Sequence, residues 1–143
     1  MNLALPALSK RWERQVQKNM NKKILIIDDD KFLLDMYAMK FSGKDFDIET
    51  SQNAAESLTK VESGYRPDVI LLDLIMPGLD GFGFLEEMKK KNLSNGIKII
   101  VFSNLGQKED IEKAMNLGAA GYIIKASSTP SEVVGKVNQI LGR

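Results

Sequence analysis

Five short apolar runs, at residues 24–27, 46–49, 69–72, 97–102 and 121–124, divide most of this chain. Four of them are nearly continuous, without the alternation of polar and apolar residues that a sheet with one wet face requires. Such runs suit strands covered on both sides, as in a parallel sheet. The run at 46–49, Phe-Asp-Ile-Glu, alternates and suits an edge. Helical spacing fills the stretches between the runs. Asn53 followed by Glu56 has the form of a capping box, and Thr129, Pro130 and Glu132 place a cap, a first-turn proline and a box partner in order. Gly43, Gly64, Gly96 and Gly118 fall near where helices should stop. Strict alternation of strand and helix predicts an α/β, doubly wound parallel sheet.

In an open parallel sheet, ligands bind beyond the carboxyl ends of the strands, near the point where strand order reverses. The first run leads into Asp28, Asp29 and Asp30, the third into Asp73, the fourth into Ser103 and the fifth into Lys125. One sheet edge thus collects carboxylates, a hydroxyl and an amine. Clustered carboxylates repel one another unless a cation joins them. The chain has no histidine and no cysteine, so only oxygen ligands are on offer. That donor set favours a hard ion, and magnesium fits best because it takes one or two carboxylates and welcomes a phosphate oxygen. A carboxylate beside such an ion can attack phosphorus and form an aspartyl phosphate.

The same two absences exclude disulfides, thiolate nucleophiles, Ser-His-Asp chemistry, the usual zinc sites and a phosphohistidine carried by this chain. With 143 residues there is room for one domain of ordinary size. Apolar residues at 43% and charged residues at 27% are those of a water-soluble globular protein, and a cytoplasmic location is expected. No apolar run reaches the roughly eighteen residues of a membrane span. Twenty basic against nineteen acidic residues leave a charge of +1, which offers no overall field for nucleic acid or an anionic membrane. Residues 1–21 differ in character and form an N-terminal extension. Leu8, Trp12, Val16 and Met20 recur every four residues, with Lys10, Arg11, Arg14 and Lys18 between them, the pattern of a short basic amphipathic helix. It reads either as an extension packed loosely on the domain, or a remnant ahead of an internal start, or as a docking helix for a partner or an anionic surface.

From Lys22 onward the chain resembles the receiver domains of bacterial response regulators. The resemblance rests on ILIIDDD, PDVILLDLIMPGLDG, IIVFSN and AAGYIIKA, in family order and spacing. It implies a flavodoxin-like (βα)5 fold with strand order 2-1-3-4-5 over residues 22–143. It further implies a two-component phosphorelay switch that accepts a phosphoryl group, with Mg2+, from a histidine kinase or histidine phosphotransfer protein. Position by position, Asp73 is the phosphoacceptor, Asp28, Asp29 and Asp73 hold the metal with the backbone carbonyl of Ile75, Ser103 and Lys125 take the hydroxyl and lysine roles, and Ser103 and the aromatic Tyr122 form the switch. Asp30 has no ligand role and is expected near the start of the first helix. No enzyme activity is implied beyond self-catalysed phosphoryl acceptance and loss. The output is expected through the face of the fourth helix, fifth strand and fifth helix, toward a protein target or a second copy in a homodimer, without direct nucleic-acid binding.

Two positions depart from the family. Ala126 stands where proline, often behind a cis bond, usually follows the lysine; a cis Lys-Ala bond would cost about 2.5–4 kcal/mol, so the bond is either trans or held cis by its surroundings. Ile75 stands where a polar residue is common, and its side chain beside the phosphoryl group implies a long-lived phosphate. Two other readings compete with the switch: a receiver-like scaffold that is never phosphorylated, and an aspartyl-phosphate phosphohydrolase suggested by Asp28-x-Asp30, which is weakened by Lys31 and Phe32 where a small hydroxyl residue would be needed.

Overall fold

The computed structural model describes residues 10–14 and 21–143. Five parallel strands, β1 (Lys22–Ile27), β2 (Phe46–Ser51), β3 (Val69–Leu72), β4 (Lys98–Ser103) and β5 (Gly121–Ile124), form one sheet in the order β2-β1-β3-β4-β5. The helices are α1 (Lys31–Phe41), α2 (Ala54–Glu62), α3 (Gly81–Lys90), α4 (Lys108–Asn116) and α5 (Pro130–Leu141). A 3-10 turn, Lys125–Ser127, follows β5. The strands match the apolar runs to within two residues at each end. The doubly wound expectation holds.

Both faces of the sheet are covered, which is why its central runs show no alternation. Leu25, Ile27, Ile70, Leu72, Ile99 and Val101 face α2, α3 and α4 with Leu58, Phe84, Leu85 and Met88. Their neighbours Ile24, Ile26, Val69, Leu71, Ile100 and Phe102 face α1 and α5 with Leu34, Tyr37, Phe41, Val133 and Val137. Rings bind the second layer: Phe41 meets Phe46 edge-on at 5.0 Å, and Tyr37 meets Phe102 likewise at 5.1 Å.

Helix starts follow the sequence closely. Asp30 caps α1 by accepting from the Leu33 amide at 3.2 Å, as its expected position implied. Asn53 caps α2 through the Glu56 amide at 2.9 Å, but its own amide donates to Ser51 Oγ, so the reciprocal half of the box goes elsewhere. The complete box is at α5, between Thr129 and Glu132. Gly43, Gly64 and Gly118 take positive φ just past α1, α2 and α4. Gly96 does not stop α3; Asn92 enters the left-handed region two residues past the helix, and Gly96 serves the turn into β4. An asparagine tolerates that conformation because its short amide can bond locally.

Of the extension, residues 10–14 are helical and exposed, with Trp12 68% accessible. Leu8, Val16, Lys18 and Met20 lie outside the described residues. Where the domain proper begins, the Lys22 amide donates to the Asp45 carbonyl at 3.0 Å, and Arg143 Nη2 donates to the same carbonyl at 3.1 Å. No helix among the described residues is long and apolar enough to cross a membrane.

Candidate functional site

Parallel pairing of Ile27 with Leu72, and of Ser103 with Ile124, brings four chain exits to one edge of the sheet. Asp28 leaves β1, Asp73 leaves β3, Ser103 ends β4 and Lys125 leaves β5. Each ends or directly follows a strand, so the site stands at the edge of the central sheet. Asp28 is 2% accessible, Asp73 7% and Ser103 0%. The strand ends therefore hold two carboxylates and a hydroxyl almost out of water.

Lys125 is what makes that arrangement tolerable. Its ammonium donates to Asp28 Oδ2 at 2.7 Å and to Asp73 Oδ2 at 3.2 Å, and lies over the Phe102 ring at 5.6 Å from the centroid. Burial lifts the Asp28 carboxyl above its usual range; hydrogen bonds from Lys125 and the Asp30 amide pull it back only in part, and Asp73 pushes it up again. Burial by itself would pull the Lys125 ammonium down, but its hydrogen bond to Asp28 and the charges of Asp28 and Asp73 hold its pKa above the ordinary lysine value. The Lys125–Ala126 bond is trans, which settles the isomer left open by the missing proline. A trans bond leading into the 3-10 turn delivers the ammonium to both carboxylates.

One carboxylate oxygen from each of Asp28, Asp29 and Asp73 can lie within 4.8 Å of the others. Asp29 is exposed where the other two are buried, so the cluster opens to solvent on one side. Three anionic oxygens with no nitrogen or sulfur donor among them suit a hard divalent cation. By the chemistry of their oxygens the residues fit magnesium.

The Ile75 amide reaches Asp73 Oδ1 at 3.4 Å, while its side chain is 57% accessible and stands at the mouth of the site. Ser103 Oγ accepts from the Leu105 amide at 3.3 Å. The Tyr122 hydroxyl donates to the Leu105 carbonyl, and burial, then the charges of Asp110 and Asp73, raise its pKa. Ser103 and Tyr122 thus both hold Leu105, in the loop between β4 and α4. Sequence reading missed this meeting point, because nothing in the string Ser-Asn-Leu-Gly marks Leu105 as shared.

Sequence reading placed Gly81 at the end of PDVILLDLIMPGLDG without the reason that glycine is needed there. The first residue of α3 lies so close to the end of β3 that a Cβ there would stand 2.4 Å from the Asp73 carbonyl oxygen and 2.6 Å from Leu74 Cα. Only glycine lets α3 approach the segment carrying Asp73.

Residues 24–138 match the sequence pattern of the response regulator receiver domain. The chain belongs to the response regulator receiver family. Receiver domains are signalling switches of two-component systems and are not generally classed as enzymes. The chain is similar to the chemotaxis protein CheY of Halobacterium salinarum, 31% identical over 85% of this chain and 98% of that one. It is also similar to the alkaline phosphatase synthesis transcriptional regulatory protein PhoP of Bacillus subtilis, 32% identical over 87% of this chain and 50% of that one. Like PhoP, several curated relatives are about twice the span it matches, so the chain covers about half of their length. Among solved structures, a CheY-like receiver domain protein from Methanospirillum hungatei superposes with a TM-score of 0.77 at 30% identity, covering 85% of this chain and 94% of the other.

Proposed function

We propose that this receiver domain is a phosphorylation-dependent switch in which Asp73 accepts a phosphoryl group from a histidine kinase or histidine phosphotransfer protein. The observation that carries the reading is the convergence of Asp28, Asp73 and Lys125, two buried carboxylates bridged by one ammonium, at the sheet edge where ligands bind in this topology. An Asp73 oxygen attacks phosphorus in line, the bond from phosphorus to the donor imidazole nitrogen breaks, and the imidazole leaves with a proton. Asp28, Asp29 and Asp73, with the Ile75 carbonyl, would hold Mg2+. Bound there, the ion supplies positive charge to the phosphoryl oxygens and offsets the repulsion among the carboxylates.

Lys125 moves part of its hydrogen bonding from the carboxylates to the new phosphoryl oxygens, and Ser103 donates its hydroxyl proton to one of them. Turning to reach that oxygen carries Ser103 Oγ away from the Leu105 amide, a release that comes from the rotation, since a hydroxyl can accept and donate at once. Tyr122, tied to the same residue, responds to that release, and the β4–α4 loop passes the change to the face of α4, β5 and α5. This face is the expected contact for a downstream protein or a second copy. On α5 the apolar Val133, Val134 and Val137 are already buried in the domain core, which leaves the exposed polar residues and the half-buried Ile140 and Leu141 for the contact.

Exposure to acetyl phosphate and magnesium, followed by intact mass spectrometry, tests the proposal. The native chain gains one phosphoryl group and Asp73→Asn gains none. A native chain that gains nothing, or an Asp73→Asn variant that gains as much, refutes the switch.

A further inference from the structure

The three carboxylates assigned to Mg2+ are not held alike. Asp28 accepts from the Asp30 amide at 2.9 Å and from Lys125 at 2.7 Å. Asp73 accepts from Lys125 at 3.2 Å and from the Ile75 amide at 3.4 Å. Both are buried, and both are tied to a residue that arrives on another strand. Asp29 is exposed, and among the described residues its carboxylate has no hydrogen bond or ion pair. A ligand left loose has to be ordered when the ion binds, and that ordering costs affinity.

What holds Asp29 acts on its backbone. Gln52, in the link between β2 and α2, donates from Nε2 to the Asp29 carbonyl at 3.2 Å, across 23 positions of sequence. That link is anchored on both sides of Gln52. Before it, the Ser51 carbonyl accepts from the Asp28 amide at 3.0 Å, and the Ser51 hydroxyl donates to the Asn53 carbonyl at 2.9 Å. After it, Asn53 caps α2 through the Glu56 amide at 2.9 Å. Asp29 in turn sits between the buried Asp28 and Asp30, the cap of α1. Gln52 thus reaches from one anchored segment to another, and the residue it grips is the one whose carboxylate has no partner. On the reading that Asp28, Asp29 and Asp73 hold Mg2+, we infer that Gln52 is a positioning residue for the metal: by fixing the Asp29 peptide it presents the Asp29 carboxylate beside those of Asp28 and Asp73. A neutral amide suits the task. A lysine could donate a similar bond, but its charge next to Asp29 would oppose a divalent cation. An ionised glutamate has no proton to donate. Partners that orient metal ligands from behind are commonly worth roughly tenfold or more in affinity.

Titration calorimetry of the full chain with magnesium chloride tests the inference, comparing the native protein with Gln52→Met, which keeps the length of the side chain and removes the donor. The dissociation constant should rise about tenfold in the variant. Labelling by acetyl phosphate across a magnesium series adds a readout that a merely structural role would not give. The magnesium concentration at half-maximal rate should rise by the same factor, while the maximal rate stays close to native. Equal dissociation constants in the two proteins, or a lower maximal rate at unchanged half-saturation, would overturn the role given to Gln52 and leave the metal reading standing. A native chain that takes up no magnesium in the calorimeter would overturn both, because the metal reading itself would then be gone.

Discussion

Lys125 carries two opposing duties. It neutralises Asp28 and Asp73 in the resting domain, and it must still be able to turn to a phosphoryl group. Its removal leaves two buried carboxylates facing each other, and breaking a buried pair by deleting one partner is costly. Lys125→Met should therefore lower the stability of the metal-free protein by about 3 kcal/mol. Adding Asp28→Asn should recover a large part of that loss, because one of the stranded charges disappears. Urea titration of the three proteins in chelator measures both changes; equal stability of the native and Lys125→Met proteins would remove the argument. The pH dependence follows from the same residues. With its folded pKa raised above 10.5, Lys125 contributes stability that is complete below 10.5 and is lost as pH rises through the folded value. Asp28 has the opposite sense: its carboxylate opposes folding above its raised value, and that opposition fades as pH falls toward 3.8. The alkaline loss should be shallower in Lys125→Met than in the native protein.

At the scale of elements, the β3–α3 junction matters most, because Asp73 is held by how closely α3 comes in. Gly81→Ala places a methyl group against backbone rather than against a side chain that can turn away. It should cost about 1–3 kcal/mol and, by displacing Asp73, slow labelling by acetyl phosphate more than its stability loss explains. Labelling at the native rate would show that the junction adjusts without moving the aspartate. The elements also show what the sequence could and could not disclose. Strands were readable because burial on both faces writes itself as unbroken apolar runs, and Asp28, Asp73, Ser103 and Lys125 were readable because each directly follows such a run. Glycine at position 81 was legible as the end of PDVILLDLIMPGLDG, but the reason for it was not, because only the fold brings the backbone of Asp73 and Leu74 against it. The Lys125–Ala126 isomer and the sharing of Leu105 by Ser103 and Tyr122 were hidden for the same reason. Gly96 was misread because Asn92 can also take the left-handed turn that ends a helix.

Across the whole molecule, two apolar layers share one set of strands. Phe41 lies at the heart of one and Phe84 of the other, both at 0% accessibility. Phe41→Ala and Phe84→Ala should each cost about 3–5 kcal/mol. Because the strands are common to both layers, each variant should still unfold in a single transition. Far-ultraviolet and tyrosine signals that separate in either variant would mean that the layers come apart independently. The Asp45 carbonyl, receiving both the first amide of β1 and the guanidinium of the last residue, has another consequence. Entry to and exit from the folded unit meet at one carbonyl, separated by little more than the reach of an arginine side chain, so its two ends could be joined by a short linker and new ends opened at an exposed turn such as 95–96. The same closeness would let the domain be spliced into a surface loop of a host protein without prising that loop apart.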